Sequence, residues 1–358
     1  MRKLLLIALV GVLLAAFTAP AQAQFKDEYK LSINVSDATP WGKGAARFAE
    51  LVKERTDGKV NIKVYWSSQL FAGKATNEFF ILRNGVADFS VSSFINWAPQ
   101  FTPGNLFLLP WFVSSMPDKY KALDAITQGE AGKMLQEKLR KLGIETFGWG
   151  EQGARELTNN VHPIQTPEDI KDLKIRVVGS PLFIDIFSAI GANPMNIAWT
   201  EAITALQQNV VDGQENPINA IILPYKIYEF QKHLTEWSYT MDPLVYAANK
   251  KTWDSFPADI QKIIAECAEE AGRYNIALAR VGLDNGESLA YLEEIGEVPE
   301  ITEPFKALEE RGMSITRLTP EQIRAFRELV EPVYEKWVEK IGPELVEAAE
   351  NDMNSVQY

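Results

Sequence analysis

The chain is poor in the side chains that hold metals and make cross-links. Its 358 residues include one cysteine, Cys267, and two histidines, His162 and His233. A single thiol excludes an internal disulfide. So small a Cys and His set leaves no spacing for a structural zinc site or a Cys-ligated iron–sulfur cluster, and no metal or cofactor is expected. Excess positive charge is missing as well: 36 Lys and Arg stand against 48 Asp and Glu, a formal charge of −12. That balance excludes a nucleic-acid partner, which needs a basic face. Beyond the N-terminal stretch no apolar run approaches the roughly 18 residues that cross a bilayer, so no stable membrane insertion is expected. Repeats and low-complexity tracts are absent too.

Several catalytic signatures are also missing. There is no Gly-x-Ser-x-Gly elbow, no His-Glu-x-x-His helix, no phosphate-binding Gly-x-x-x-x-Gly-Lys-Ser/Thr loop and no dinucleotide Gly-x-Gly-x-x-Gly turn. Gly42-Lys43-Gly44 reads as the entry turn of a helix. Cys267 falls among Ile264, Ala265 and Ala268 in a helical run, the setting of a core thiol. His162 and His233 read as surface or capping residues.

What is present begins with an address. Met1-Arg2-Lys3 is a positive start, Leu4–Phe17 is apolar, and Ala21-Gln22-Ala23 is a small-x-small cleavage site. Residues 1–23 therefore read as a cleavable secretory signal peptide, which places the mature chain in a periplasm or outside the cell. The whole chain is 46% hydrophobic, and the part after residue 23 is long enough for two domains.

Strand and helix patterns alternate twice. In the first set Leu31–Val35 and Val60–Val64 read as strands around a helix at Trp41–Thr56, and Ile144–Trp149 closes the set as a strand. After a break near Glu151–Gly153, Leu173–Val178 reads as a strand, Pro181–Ile190 and Thr200–Asn209 as helices, and Ile218–Lys232 as another helix. Pro257 opens a long helical region to about Glu294. Thr319-Pro320-Glu321 starts a C-terminal helix. This alternation predicts an α/β fold of two lobes with a ligand cleft between them.

Two segments carry chemistry. Arg176 lies in an apolar strand between Ile175 and Val177, where a guanidinium is costly unless it meets an anion. A carboxylate suits its planar fork, whether that carboxylate belongs to a ligand or to one of the chain's own acids. Val211-Asp212-Gly213-Gln214-Glu215-Asn216-Pro217 is a tight polar stretch. Asn216 either donates to a ligand oxygen or serves a turn before a Pro-initiated helix. Trp41, Trp97, Trp111, Trp149 and Trp199 fall at strand–helix junctions, where they either wall a cleft against water or pack a core.

These residues resemble the substrate-binding subunit of tripartite ATP-independent periplasmic (TRAP) transporters, of the dicarboxylate-binding (DctP) type. The likeness spans about Lys30–Lys340. It rests on Thr166-Pro167-Glu168-Asp169-Ile170-Lys171-Asp172-Leu173-Lys174-Ile175-Arg176-Val177, on Gly191-Ala192-Asn193-Pro194, on the run Thr204–Pro217, and on Gly153-Ala154-Arg155 before Leu157-Thr158-Asn159. The resemblance implies a periplasmic-binding-protein fold with hinge strands and a long connecting helix. Lobe I would hold residues 24–152 plus about 242–282, and lobe II about 153–241 plus 283–358. It implies Arg176 as the carboxylate clamp, Asn216 as its support, and Arg155 as a second cation or network member. Trp199 would pack on the ligand, with Val178, Gly179 and Ser180 lining the site. From lobe I, Ser93, Asn96, Trp97 and the Ser36–Trp41 turn, Trp41 included, would face it. The family often places a charge on the lobe I wall, whereas Ser92-Ser93-Phe94-Ile95-Asn96-Trp97 has none. With its tryptophans this leans toward an aromatic or bulky monocarboxylate, with a dicarboxylate or sugar acid as the alternative. The implied role is an extracytoplasmic, monomeric solute-binding protein that is not an enzyme. It would hand an organic acid to the small and large TRAP membrane subunits or, alternatively, present it to a sensor.

Overall fold

The computed structural model describes residues 25–357, so the expected signal at 1–23 lies outside the described residues. The strands are β1 (Tyr29–Ser32), β2 (Ile62–Tyr65), β3 (Phe89–Ser93), β4 (Ile144–Asn159), β5 (Lys174–Val177), β6 (Asn193–Asn196), β7 (Gly213–Pro217), β8 (His233–Glu236), β9 (Met241–Asn249) and β10 (Ser314–Arg317). They join in the order β2-β1-β3-β9-β4-β7-β5-β6, with β8 paired to β4 and β10 paired to β8. Outer neighbours such as β1 and β2 or β5 and β6 run parallel, which requires helical crossovers. At the centre β9 runs antiparallel to both β3 and β4.

β4 makes the two lobes one molecule. Its first part, Ile144–Ala154, pairs with β9, and its last part, Arg155–Asn159, pairs with β7. The register slips between Glu151 and Gly153, and Gly153 has φ +119°. The sequence break at 151–153 is therefore a bulge in a continuous strand, and a bulge bends its strand without cutting it. Polarity hid this continuation. Residues 150–159 are buried, and the chain satisfies their charges internally: Glu156 accepts from the backbone of Trp237 (2.7 Å) and Ser238 (2.8 Å).

The helix Pro40–Arg55 starts as its sequence directs. Thr39 caps it, accepting from Gly42 N at 2.9 Å, and Pro40 takes the first turn. Gly42 is required there because any Cβ would collide with the Ser36 carbonyl oxygen. Thr166 with Asp169 and Thr319 with Gln322 form capping boxes, as the Thr-Pro pairs suggest. The long helix Ala258–Arg280 packs on both Pro40–Arg55 and β4.

Other elements differ from expectation. The polar stretch at Gly213–Pro217 is a fully buried strand and not an interhelical turn. Ile218–Lys232 is not one helix: a π-turn covers Ile218–Ile222 and a 3-10 turn Ile227–Glu229. Pro224 between them cannot donate to a helix, and Lys226 sits at φ 53°. The region after Arg280 breaks at Gly282 (φ 72°) and Gly286 (φ 90°) before the helix Glu287–Glu294. The last helix, Pro343–Asn354, packs on the helices Lys119–Gln128 and Glu130–Lys141. Asp352 caps the latter through Glu130 N (3.0 Å) and Ala131 N (2.9 Å). The chain end thus packs on helices that precede β4 as well as on the helix Pro320–Ile341.

Two large apolar cores form. One gathers Phe94, Phe107, Phe183, Phe187 and Trp237, and the other Trp41, Phe48, Tyr246 and Ile264. Cys267 is buried in the second, and burial raises its thiol pKa to about 11, which leaves it unreactive.

Candidate functional site

A cavity of about 360 Å³ opens where β5 and β7 face the end of β3 across the bulge of β4. That size suits a small organic ligand. Nine of the eleven residues named from the sequence line it: Trp41, Ser93, Asn96, Arg155, Arg176, Val178, Gly179, Trp199 and Asn216. Ser180 and Trp97 do not. Ser180 is fully buried and precedes the helix Pro181–Ala189. Trp97 is fully buried in the first core, edge-on to Phe79 (5.7 Å) and Phe94 (6.0 Å). Its helix Phe94–Trp97 is a single turn, so Asn96 and Trp97 point in different directions.

Arg176 is 2% exposed. Its Nε donates to the Ile197 carbonyl at 2.9 Å, and its Cζ lies 5.4 Å from the centre of the Trp199 ring. Among the described residues no carboxylate forms an ion pair with it, and its terminal nitrogens have no hydrogen-bond partner. Burial lowers its pKa, Glu215 opposes that and Arg155 adds to it, leaving a value of about 10. The group is still a cation at neutral pH. An unpaired buried guanidinium on a cavity wall is an anion site by Coulomb's law alone.

Arg155 is different. Its Nε and Nη2 donate to the Glu215 carboxylate, Nη2 also reaches the Glu215 carbonyl (2.9 Å) and Asn216 Oδ1 (3.0 Å), and Nη1 reaches Gln152 (3.1 Å) and Asp242 (3.4 Å). All five donors are taken. Burial acts to lower the Arg155 pKa, but Glu215 overrides it and the net shift is upward. Arg155 is thus the centre of a structural network, and no donor remains for a ligand. Asn216 belongs to that network as well. Its Oδ1 accepts from Arg155 and its Nδ2 donates to Gln214 Oε1, so it props Arg155 and not Arg176.

The network crosses between lobes at Asp242, which accepts from Ser93 Oγ at 2.6 Å. Burial raises the Asp242 pKa to about 7 against the opposing pull of Arg155.

The expectation of an uncharged lobe I wall holds for Ser92–Trp97 but not for the whole wall. Lys74 also lines the cavity, on a loop whose Gly73 packs against Thr200 of the opposite lobe. Sequence reasoning missed Lys74 and Asn34, which come from irregular segments, Thr76, from a 3-10 turn, and Asn196, from the end of the short strand β6. Gln152 sits in the Glu151–Gly153 break, beside the quoted Gly153-Ala154-Arg155, and was a readable candidate. Among the described residues no group of three or more His, Cys, Asp or Glu is arranged to hold a metal, and no helix is long and apolar enough to cross a membrane.

Two α/β lobes that share a pair of crossing strands, with a ligand-sized cavity at the crossing, define a periplasmic-binding-protein architecture. Residues 31–341 match the model of bacterial extracellular solute-binding protein family 7 (DctP), and the chain belongs to that family. The C4-dicarboxylate-binding periplasmic protein DctP of Rhodobacter capsulatus is 33% identical over 95% of this chain and 96% of its own. A crystal structure of a TRAP periplasmic solute binding protein from Ralstonia eutropha H16 with bound (S)-2-acetolactate superposes with a TM-score of 0.85, at 44% identity, covering 93% of this chain and 100% of that one. A counterpart from Shewanella oneidensis with bound succinate gives 0.78 at 28% identity, covering 91% and 98%. Members of this family are periplasmic solute-binding components that serve TRAP membrane transporters, and they catalyse no reaction.

Proposed function

We propose that this chain captures a small organic acid by its carboxylate at Arg176 and delivers it to the small and large TRAP membrane subunits. The observation that carries this reading is the buried, unpaired guanidinium on the cavity wall. The lobes, 24–152 with about 242–282 and about 153–241 with 283–358, close on the ligand by bending at the β4 bulge and β9. Closure is stabilised by the ligand's better fit to the closed form. Export through cleavage of residues 1–23 and action as a monomer complete the reading.

The ligand class that fits is a monocarboxylate. Of the two arginines that line the cavity, Arg176 keeps donors for an anion and Arg155 does not. The aromatic preference is weaker than the tryptophan count suggests, since Trp97 is turned away and Trp41 Nε1 is tied to the Val91 carbonyl at 2.9 Å. The relative with bound (S)-2-acetolactate, a compact branched acid, supports a small tail over a large ring. Lys74 is exposed, and a solvated cation adds about 0–1 kcal/mol.

A thermal-shift screen of ligand-stripped protein against aliphatic, hydroxy, dicarboxylic, sugar and aromatic acids tests this. Ligand at 100 times its dissociation constant adds about 2.7 kcal/mol of stability. The expected hits are small branched monocarboxylates, and Arg176→Ala removes them. Hits that survive Arg176→Ala in a folded protein overturn the clamp.

A further inference from the structure

Behind the lobe I wall lies a fully buried carboxylate, Glu78. It does not line the cavity, and among the described residues no cation pairs with it. Three side chains donate to it: Ser90 Oγ at 3.0 Å, Ser92 Oγ at a shorter distance, and Asn96 Nδ2 at 3.4 Å. Asn96 does line the cavity. When ionised, as it is at pH 8, this carboxylate only accepts, so it fixes which end of the neighbouring amide faces it. With Nδ2 held by Glu78, Asn96 Oδ1 is the end left for the cavity, and no protein donor among the described residues reaches it.

We propose that Glu78 is a positioning residue that turns Asn96 to present a hydrogen-bond acceptor, so that the lobe I wall selects acids bearing a hydroxyl on the tail and disfavours a second carboxylate. This rests on the reading of Arg176 as the carboxylate clamp and deepens it. A hydroxyl donates to Oδ1, whereas a bare alkyl tail leaves Oδ1 unpaired and a carboxylate meets it lone pair to lone pair. Ser93, a hydroxyl on this wall, is already committed to Asp242 and does not supply the same reading.

The test uses four acids of one skeleton: 3-methylbutanoate, its 2-hydroxy and 3-hydroxy derivatives, and methylsuccinate, in which a carboxylate replaces one methyl. Dissociation constants are measured by calorimetry at pH 8 on the ligand-stripped chain. In the wild type at least one hydroxy acid binds roughly tenfold more tightly than the parent, the scale of one hydrogen bond, and methylsuccinate binds more weakly than that hydroxy acid. In Glu78→Gln, whose amide also donates and releases Asn96 to turn, the hydroxyl preference falls to about twofold or less while the parent acid changes by less than about threefold. Asn96→Ala gives the same collapse and relatively improves methylsuccinate, an outcome that loss of packing alone does not produce. It also serves if Glu78→Gln fails to fold. Binding that depends on Arg176 but shows the same hydroxyl preference in the wild type and both variants overturns this proposal and leaves the clamp standing. Binding that ignores Arg176→Ala overturns the clamp, and the proposal with it.

Discussion

Replacing Arg176 with methionine separates a ligand clamp from a structural ion. Methionine keeps much of the side-chain length and removes the charge. In the unliganded protein Arg176 is a buried cation with a single hydrogen bond, to Ile197 O, and a face-on contact with Trp199. Its depressed pKa, about 10, records the cost of burial. Removing it forfeits one hydrogen bond of about 1 kcal/mol and relieves an uncompensated buried charge of similar or greater cost. The unliganded variant should therefore be as stable as the wild type or more so. Ligand binding should behave oppositely. Loss of one partner from a buried charge pair costs about 2–5 kcal/mol, which weakens a micromolar site at least roughly thirtyfold. The assay is denaturant unfolding with and without the best acid from the screen, together with calorimetric titration. If the unliganded variant loses several kcal/mol while affinity is unchanged, Arg176 is structural and the clamp is refuted.

Three further outcomes follow from other sites. Glu215→Ala strips Arg155 of its main partner and Tyr239 of the acceptor at 2.8 Å, so stability should fall by about 3–5 kcal/mol in denaturant unfolding; a loss under 1 kcal/mol would mean that Asp242 suffices. Gly42→Ala drives a methyl into the Ser36 carbonyl and should cost about 1–3 kcal/mol, visible as a lower melting temperature; no change would show that the Ser36–Trp41 turn yields freely. Burial raises the Glu78 pKa from 4.5 to about 7, so the native state holds a proton that the unfolded chain has released. Between those values stability falls as pH rises, by about 3 kcal/mol from this group, and the penalty is complete above pH 7. Glu78→Gln should remove that slope from the difference between variant and wild-type unfolding curves, and parallel curves from pH 4.5 to 7 would contradict the shift.

The sequence was most legible where polarity and periodicity agree. The capped helix at Pro40–Arg55, the strand bearing Arg176 and the helix after Thr319 all follow local rules. It was least legible along β4 and β7. Gln152, Arg155, Glu156, Gln214, Glu215 and Asn216 look like loop residues because burial of so many polar groups is affordable only when they satisfy one another, and that pairing is long-range. Arg155 meets Glu215 across strands sixty residues apart in sequence. For the same reason Arg155 and Asn216 looked like ligand contacts. The resemblance implied that Arg155 and Asn216 sit near Arg176, but not which donors were already spent. Lys74 escaped because a loop without periodicity has no pattern to read.

The contrast between the two buried arginines decides how many anionic groups the cavity can hold. Arg155 and Arg176 belong to neighbouring parts of one sheet, both nearly free of solvent. Two free guanidiniums there would attract a dianion and would repel each other when empty. Glu215 removes that prospect by occupying the Arg155 fork, and Asp242 and Gln152 take its remaining edge. The field left in the cavity comes from one unscreened cation, partly offset by the Glu215 and Asp242 carboxylates behind it. A second ligand carboxylate would have to find its partner in lobe I. There it meets the acceptor end of Asn96, held by Glu78, and one solvated lysine at the rim. Glu215→Gln is the decisive variant for this logic. It keeps one side-chain acceptor for Arg155, since the amide nitrogen cannot accept, and removes the neutralising charge, so affinity for methylsuccinate should rise relative to 3-methylbutanoate. If the ratio of the two affinities stays fixed, the arginine pair does not set the charge preference, and the control lies with Lys74.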